Sequence, residues 1–296
     1  MNSRQDCIEA PMKKGKKILV IMISVILLIA GICAFELYIS VNWLSVNHFE
    51  LDSDKIDNPV RMVILSDLHD HDFGAELITK INNEHPDIII MAGDMINKDT
   101  EKEEQIYKLI DNLSEIAPVY YGAGNHEDEY YKTHDKSAFI SQIEASGGIY
   151  LDYKYQDLEI NGNQIRLGGL YDYPYGMGDC NVEDATDEIK DFMTDYLNTD
   201  DYKLFIAHRP ESFIFGDDSK VFDIELVVMG HLHGGQVVIP FKGGVWGGDQ
   251  GYFPRYVHGI YEKDKIHMII TSGLGTSKKK APRFNNIPEI MVLDLH

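Results

Sequence analysis

Five short polar motifs follow runs of apolar, β-forming residues, and they constrain the fold of this chain more than any other feature. The motifs are Asp67-Leu68-His69, Gly93-Asp94, Gly124-Asn125-His126-Glu127, His208 and Gly230-His231-Leu232-His233-Gly234-Gly235. The runs before them span residues 60–65, 88–91, 119–121, 204–207 and 226–229. Strands of an open sheet end along a common edge, and ligands bind outside that edge. We therefore expect the Asp, Asn and His side chains to converge, and since such side chains bind metals, the pattern predicts a site for two metal ions.

The individual motifs differ in how much they indicate. An Asp-x-His or a Gly-Asp at a strand end is weak by itself, because such residues often form turns or caps. The stretch from Gly230 to Gly235 is the strongest, since two imidazoles one residue apart in a glycine-flanked turn can reach two adjacent ions. A purely structural explanation needs five independent coincidences at five strand ends, which favours the metal site.

Beyond residue 60, predicted strands alternate with predicted helices, which indicates βαβ units and a largely parallel sheet. The predicted strands of the first half span 60–65, 87–91 and 118–121, and the helices span 75–84, 101–115 and 136–145. A hairpin over 157–170, a helix over 182–197 and strands over 203–207 and 224–229 follow. The remaining β-runs, at 236–239, 265–271 and 290–295, suggest a second, mostly antiparallel sheet. We predict one α/β domain with two sheets.

An apolar segment lies near the N-terminus. Residues 18–40 form an almost continuous apolar run, interrupted by Ser24 and Glu36. A helix of this length spans a hydrocarbon core of about 30 Å. Four lysines precede it, at positions 13, 14, 16 and 17, and the positive-inside rule then places the N-terminus in the cytoplasm. We predict a cytoplasmic basic N-terminus over 1–17, a transmembrane anchor over 18–40, a linker over 41–59 and an extracytoplasmic catalytic domain over 60–296. A cleaved signal peptide is the alternative.

The charge balance limits the class of substrate. The chain has 48 acidic against 27 basic residues, a formal net charge of −21. Such a surface repels polyanions, which disfavours nucleic acid as a partner. Bound divalent ions would reverse the sign locally.

The order and spacing of the motifs resemble the calcineurin-like metallophosphoesterase superfamily, and within it the membrane-tethered bacterial branch of YkuE/YaeI-like phosphodiesterases. The resemblance runs from about residue 60 to the C-terminal region. Besides the five motifs, it is carried by Ser66, Phe73-Gly74, Arg209-Pro210-Glu211, Gln236, Asp249-Gln250-Gly251-Tyr252-Phe253-Pro254, Ser272-Gly273-Leu274-Gly275 and Arg283-Phe284-Asn285-Asn286-Ile287-Pro288-Glu289.

The resemblance implies a four-layer αββα sandwich of two mixed sheets and assigns roles to the motif residues. Asp67, His69 and His233 would hold the first metal ion. Asp94 would bridge both ions, and Asn125, His208 and His231 would complete the second site. His126 would be a catalytic residue that binds no metal and assists the leaving group. The cofactors would be two divalent ions, Mn, Fe, Zn or similar, which share a hydroxide that attacks phosphorus.

The expected function is phosphodiester hydrolysis by this dinuclear site, on a cell-envelope or lipid-like phosphoester. One alternative is a phosphomonoesterase or nucleotide hydrolase that uses the same site. Another is a non-catalytic scaffold that kept the fold as a binding module. The oligomeric state is left open.

Some residues near the motifs keep two interpretations. Arg209, Lys279 and Arg283 could bind substrate phosphate, or they could form salt bridges or lie in solvated loops. Trp246 and the run Tyr252-Phe253-Pro254 could wall the active site or pack locally beneath a loop. Glu127 stands where many members of the superfamily have Asp, and we expect this difference to matter little.

Overall fold

The computed structural model describes residues 14–171, 182–276 and 281–296. The helices are α1 (Lys14–Asn42), α2 (Ala75–Glu84), α3 (Glu104–Ser114), α4 (Asn125–Tyr131), α5 (Lys136–Ala145), α6 (Asp187–Leu197), α7 (Glu211–Phe215) and α8 (Asp218–Val221). The first seven strands are β1 (Ser45–Leu51), β2 (Val60–Leu65), β3 (Ile88–Ala92), β4 (Val119–Gly122), β5 (Gly148–Leu151), β6 (Lys154–Ile160) and β7 (Asn163–Gly169). The others are β8 (Tyr202–Ile206), β9 (Leu226–Met229), β10 (Val238–Ile239), β11 (Gly243–Gly244), β12 (Gly259–Lys263), β13 (Ile266–Ile270) and β14 (Glu289–Leu295).

The first six-stranded sheet has the order β1-β14-β2-β3-β4-β5. Strands β2 to β5 are parallel, whereas β14 is antiparallel to β2 and parallel to β1. All five residues of β3 are buried, as is usual for a parallel strand covered on both faces. The predicted parallel arrangement of the first half is confirmed.

The second six-stranded sheet has the order β12-β13-β9-β8-β7-β6. Its four central strands, β13, β9, β8 and β7, are parallel, and only the two edge strands are antiparallel to their neighbours. The prediction of a mostly antiparallel second sheet is therefore wrong. The last β-run also joins the first sheet as β14, because short apolar runs specify a strand but not its partner.

The two sheets face each other between two layers of helices. One apolar cluster joins the facing sides of both sheets, with Ile64 and Ile90 from the first and Leu204 and Val228 from the second. A second cluster packs α2, α3 and α5 against the first sheet, and a third packs α6 and α7 against the second sheet. This is the predicted four-layer αββα sandwich of two mixed sheets.

Strand β1 lies in the stretch that was predicted to be a linker. It pairs with β14 from Ser45 opposite Glu289 to Leu51 opposite Leu295. Its seven residues are only partly buried, in the pattern expected for a strand with one covered face. No continuous apolar run marks this strand, so the sequence pattern missed it, and the folded domain begins close to the end of α1.

Helix α1 is long and apolar enough to cross a membrane, by length and composition, and it is the one such helix in the described residues. Its apolar side chains from Ile18 to Ile32 are exposed. Only near its end does the helix meet the domain, where Ser40 is fully buried. The structure therefore contains the predicted N-terminal apolar helix.

Candidate metal centre

The predicted ligands converge because each follows the carboxyl end of a parallel strand. Asp67 follows β2, Asp94 follows β3 and Asn125 follows β4 in the first sheet, whereas His208 follows β8 and His231 follows β9 in the second. Both sheets present these ends to a common region. Three groups of side chains there have potential ligand atoms within 4.8 Å of one another. The groups are Asp67, His69 and His233; His69, Asp94 and His126; and Asp94, His208 and His231.

The first group joins the loops after β2 and β9. His233 Nε2 lies 3.5 Å from Asp67 Oδ1, and His69 Nε2 lies 3.9 Å from the same oxygen. All three residues are buried. The second carboxylate oxygen of Asp67 accepts hydrogen bonds from the Ser66 hydroxyl at 2.8 Å and the His231 amide at 3.0 Å. The loops after β2 and β9 are thus locked together while Asp67 Oδ1 faces the imidazoles.

This contact requires glycine at position 230. A Cβ at Gly230 would overlap the Ser66 hydroxyl and the Asp67 carboxylate. Relief would require the Ser66 and Asp67 side chains to leave their hydrogen-bonded arrangement in a close-packed interior. The glycine that begins the last motif is therefore required by packing around Asp67.

The third group centres on Asp94 and His208. His208 Nε2 lies 3.3 Å from Asp94 Oδ2, and both side chains are buried. Burial opposes ionisation of Asp94, but the charges of His208, His69 and His126 outweigh it and hold the pKa of Asp94 well below its usual range. Burial likewise disfavours charge on His208, yet Asp94 raises the pKa of His208 to about 10. Asp94 and His208 therefore stabilise each other's charged forms inside the site.

His208 is oriented from its far side. Its Nδ1 donates a hydrogen bond to the Ala92 carbonyl oxygen at 2.7 Å. A histidine held in this way has its other ring nitrogen available as a metal ligand. Asp94 and His69 each lie in two of the three groups.

Asn125 and His126 begin α4, directly after Gly124. Asn125 Oδ1 is buried and has no hydrogen-bond partner among the described residues, which fits an oxygen ligand. The His126 amide donates to Asp94 Oδ1 at 2.8 Å, and its ring packs edge-on against His69 with centroids 4.5 Å apart. Geometry alone also admits His126 as a ligand, because it forms one group with His69 and Asp94.

Five of the seven predicted ligands have left-handed backbone conformations. The φ values are 52° at Asp67, 51° at His69, 54° at Asp94, 70° at His231 and 47° at His233. Each such conformation costs a non-glycine residue roughly 1–2 kcal/mol. Strain of this kind concentrates at functional sites and persists only where the surroundings impose it.

Glu127 is a structural centre of the site that the sequence interpretation undervalued. Its fully buried carboxylate accepts hydrogen bonds from the amides of Gly124, Asp94 and Met95 at 2.8, 2.9 and 2.8 Å. The hydroxyl of Tyr121 donates to it at 2.7 Å. The loops after β3 and β4 are thus fixed by one side chain. The signal in the sequence was an acidic residue three positions after a helix-capping glycine.

Asn286 and Arg283 support His233 from behind. Asn286 Nδ2 donates to the His233 carbonyl oxygen at 2.7 Å. Arg283 is 1% exposed, donates to the carbonyl oxygens of Ser272 and Gly275, and lies 3.5 Å from His233 Nδ1. Burial lowers the pKa of Arg283 to about 10, against the opposing charges of Asp67 and Glu289. This burial favours a supporting role for Arg283 over contact with substrate, and no local sequence signal separates the two.

Arg209 is mostly buried and near two carboxylates. Its Nε lies 3.7 Å from Glu211 Oε2, and its Nη2 lies 3.8 Å from Asp249 Oδ2. Glu211, which the sequence interpretation left without a role, is buried and also lies 3.7 Å from His231 Nε2. Lys279 lies outside the described residues.

A cavity of about 330 Å³ opens beside two of the predicted ligands. Its walls include His231 and His233 together with the apolar side chains of Val237, Val245 and Trp246. The sequence left two interpretations open for Trp246, a wall of the site or local packing. Its place in the cavity lining supports the first. A largely apolar cavity therefore lies next to the candidate metal centre.

Known proteins resemble this chain over most of its length. The family model of the calcineurin-like phosphoesterases matches residues 60–235. The metallophosphoesterase YkuE of Bacillus subtilis, itself uncharacterized, is 28% identical, over 79% of this chain and 78% of its own length. The phosphodiesterase YaeI of Escherichia coli is 27% identical, over 80% and 82%. A metallophosphoesterase of Campylobacter jejuni is 27% identical, over 81% of this chain but 62% of its own length.

Solved structures also match at low identity. The phosphopantetheinyl hydrolase of Mycobacterium tuberculosis matches with a TM-score of 0.46 and 13% identity, over 78% of this chain and 97% of its own. The 5'-nucleotidase precursor of Thermus thermophilus matches with a TM-score of 0.46 and 10% identity, over 80% and 54%.

Proposed function

The chain belongs to the calcineurin-like phosphoesterase family, and from this premise we propose that it hydrolyses phosphodiester bonds with a dinuclear metal centre. The observation that carries the proposal is a pair of neighbouring Asp and His groups, buried except for the partly exposed His231. One group contains Asp67, His69 and His233, and the other contains Asp94, His208 and His231. Hydrolysis of a phosphoester is the chemistry for which such paired sites are suited.

The residues present fit two divalent ions. Asp67, His69 and His233 would hold one, Asn125, His208 and His231 the other, and Asp94 would contact both. Oxygen and imidazole ligands without cysteine suit Mn, Fe, Zn or similar ions. When bound, such ions supply Lewis-acid stabilisation of phosphoryl oxygens and lower the pKa of a water. The protein's own part is to fix the ligands, through the Ser66, Ala92 and Glu127 contacts described above.

His126 would assist departure of the leaving group. Its amide is fixed on Asp94 Oδ1 at 2.8 Å, so its ring is held beside the ligands of both ions. An imidazole in this position can protonate the leaving oxygen or stabilise its charge, which contributes typically about 10²–10⁴-fold to rate. Arg209 would contribute positive charge to the phosphate, with Glu211 and Asp249 holding its guanidinium.

The preference for diesters rests on similarity to YaeI, whose name is that of a phosphodiesterase. A cell-envelope or lipid-like substrate is proposed because α1 is long and apolar enough to cross a membrane. The lysines before its apolar run favour a cytoplasmic N-terminus and an extracytoplasmic domain. This arrangement would restrict the enzyme to phosphoesters that occur outside the cytoplasm.

The chemical test compares the wild-type full chain with His126→Ala after metal reconstitution. We expect faster turnover of bis(p-nitrophenyl) phosphate than of p-nitrophenyl phosphate. We also expect His126→Ala to lower kcat by about 10²–10⁴-fold with unchanged metal content. His134→Ala is the matched control, because it removes an exposed histidine that lies shortly after α4.

Three outcomes would contradict parts of this proposal. Faster turnover of the monoester than of the diester would identify the protein as a phosphomonoesterase and not a phosphodiesterase. Loss of metal in His126→Ala would make that residue a ligand. Absence of both bound metal and hydrolysis in the wild type would favour the binding scaffold.

The proposed topology has its own test. A reporter fused after His296 should be active when the reporter requires export, and inactive when it requires the cytoplasm. Mass spectrometry of the membrane fraction should recover residues 18–40 if the segment is retained. Their absence would make the segment a cleaved signal peptide.

A further inference from the structure

The segment that follows the last ligand motif exposes an unusual number of large apolar side chains. We call residues 236–255 the aromatic loop. In the described part of the chain, nine large hydrophobic residues outside α1 are exposed, and five of them lie in this loop. These five are Ile239 at 38%, Phe241 at 109%, Trp246 at 49%, Tyr252 at 73% and Phe253 at 50% exposure. Exposed apolar groups concentrated in this way mark interaction surfaces.

The loop also differs in charge from the acidic chain around it. It contains Lys242 and Arg255 against a single carboxylate, Asp249. Lys242 Nζ lies 5.7 Å above the ring of Phe253. Asp249 is near Arg209, with 3.8 Å between its Oδ2 and Nη2 of that residue. Exposed aromatic rings with basic side chains are the composition of segments that lie at the interface between membrane and water.

The aromatic loop begins next to the end of α1. The Asn286 amide donates to Ser40 Oγ, in the last turns of α1, at 3.3 Å. Asn286 Nδ2 donates to the carbonyl oxygen of Gln236 at 3.2 Å, and Asn285 Nδ2 donates to that of Val238 at 3.0 Å. Two adjacent asparagines therefore bridge α1 and the first residues of the loop. If α1 spans a membrane, the loop starts at its surface.

The same contacts bring the metal centre to this side of the domain. Asn286 Nδ2 also donates to the carbonyl oxygen of His233 at 2.7 Å. Trp246 lines the cavity of about 330 Å³ whose walls include His231 and His233. Trp246 is packed edge-on against Tyr252, with ring centroids 5.0 Å apart. The exposed rings are therefore continuous with an apolar cavity beside the candidate ligands.

We propose that the aromatic loop docks onto the surface of the bilayer that holds α1, so that the metal centre acts on phosphoesters in the headgroup layer. Aromatic rings would enter the interface, and Lys242 and Arg255 would contact anionic headgroups. The cavity beside Trp246 would receive the apolar part of a lipid phosphoester. The proposal rests on the proposed phosphoesterase function and on anchoring by α1, and it names the surface from which that same site takes its substrate.

The two tryptophans of the chain allow a direct test, because Trp43 follows α1 and Trp246 lies in the loop. The full chain is reconstituted into nanodiscs of equimolar phosphatidylcholine and phosphatidylglycerol, one chain per disc, with or without bromine on the upper acyl chains. Trp43→Phe leaves Trp246 as the only reporter, and Trp246→Phe leaves Trp43. We expect bromine to lower the emission of both single-tryptophan proteins about two-fold or more, since both would lie at the interface.

Two variants in the Trp43→Phe background sharpen the test. Phe241→Ser with Phe253→Ser should restore at least about half of the lost Trp246 emission, because the loop loses its apolar contacts with the bilayer. Tyr153→Ser removes another exposed aromatic ring, between β5 and β6 and thus at the sheet edge opposite β1. This control should leave the quenching unchanged.

The outcomes separate the three proposals. Quenching of Trp43 without quenching of Trp246 overturns docking and leaves anchoring intact. Quenching of neither overturns both. A blue shift of Trp246 emission without bromine quenching would place the ring in an apolar environment other than the acyl chains and overturn docking on lipid. Quenching of both tryptophans in a protein without hydrolytic activity would support docking and refute only the proposed function.

Discussion

The carboxylate of Glu127 accepts a hydrogen bond from the backbone amide of Asp94 at 2.9 Å. The helix that follows β4 thereby fixes the loop that follows β3. Since Asp94 has a left-handed backbone with φ of 54°, this contact supports the conformation of Asp94. A residue that is not among the predicted ligands therefore helps to fix where the Asp94 carboxylate lies.

Glu127→Gln should destabilise the protein and weaken metal binding. An amide retains one acceptor but turns a donor toward backbone amides, and leaving buried donors unpaired costs about 1–3 kcal/mol. We expect a lower thermal midpoint and lower metal content by elemental analysis. Glu129→Gln, an exposed change on the same helix, should alter neither. Equal metal content in the two variants would contradict this role of Glu127.

Asp94→Asn should remove metal from both positions, whereas His208→Ala should remove it from one. Asp94 belongs to two of the three ligand groups, and His208 belongs to one. Elemental analysis of the purified proteins after identical reconstitution measures the difference. If both variants lost the same amount of metal, Asp94 would not be shared.

Arg283→Lys should lower stability and the affinity of the site for metal. Arg283 donates from Nε and Nη2 to two carbonyl oxygens at 2.9 and 2.6 Å. A lysine cannot reproduce this planar arrangement of donors, and the buried acceptors lose about 1–3 kcal/mol of stabilisation. Thermal unfolding and metal titration check the prediction, with the exposed Arg255→Lys as control. If Arg283→Lys unfolded at the wild-type thermal midpoint, Arg283 would be a substrate contact and not a structural support.

His258 and Glu289 should stabilise the fold in a pH-dependent way. Their side chains meet at 2.8 Å. Burial disfavours charge on both, but the contact raises the pKa of His258 above 6.5 and lowers that of Glu289 below 4.5. The histidine contribution is complete below its unfolded pKa and is lost as pH rises through the higher folded value. The glutamate contribution is present above its unfolded pKa and is lost as pH falls through the lower folded value.

The corresponding measurement compares wild type with His258→Gln by thermal unfolding from about pH 5 to about pH 9. The difference between their midpoints should be largest at the acidic end of this range and should shrink as pH rises. His267→Gln, at a partly buried position of β13, is the control. A difference that stays constant with pH would contradict a charged pair.

The convergence of the ligands was predictable because parallel strands end at one edge, and each motif directly follows such a strand. The strand directions in the second sheet and the sheet that β14 joins were not predictable. No local feature of residues 265–271 or 290–295 specifies a partner strand. Strand β1 was missed since its residues are only partly buried. The supports provided by Glu127, Asn286 and Glu211 depend on tertiary contacts between distant segments, which motif spacing does not record.

The position of β14 between β1 and β2 has a consequence for how the chain acquires its structure during synthesis. Ser45 Oγ contacts the Pro288 carbonyl oxygen across 243 positions of sequence. Strand β1 emerges directly after α1, yet it has no neighbour in its sheet until residues 289–295 have been made. Pairings of such long range are slow, so β1 would stay unpaired until β14 has been synthesised. An unpaired strand edge can pair with other chains in the meantime.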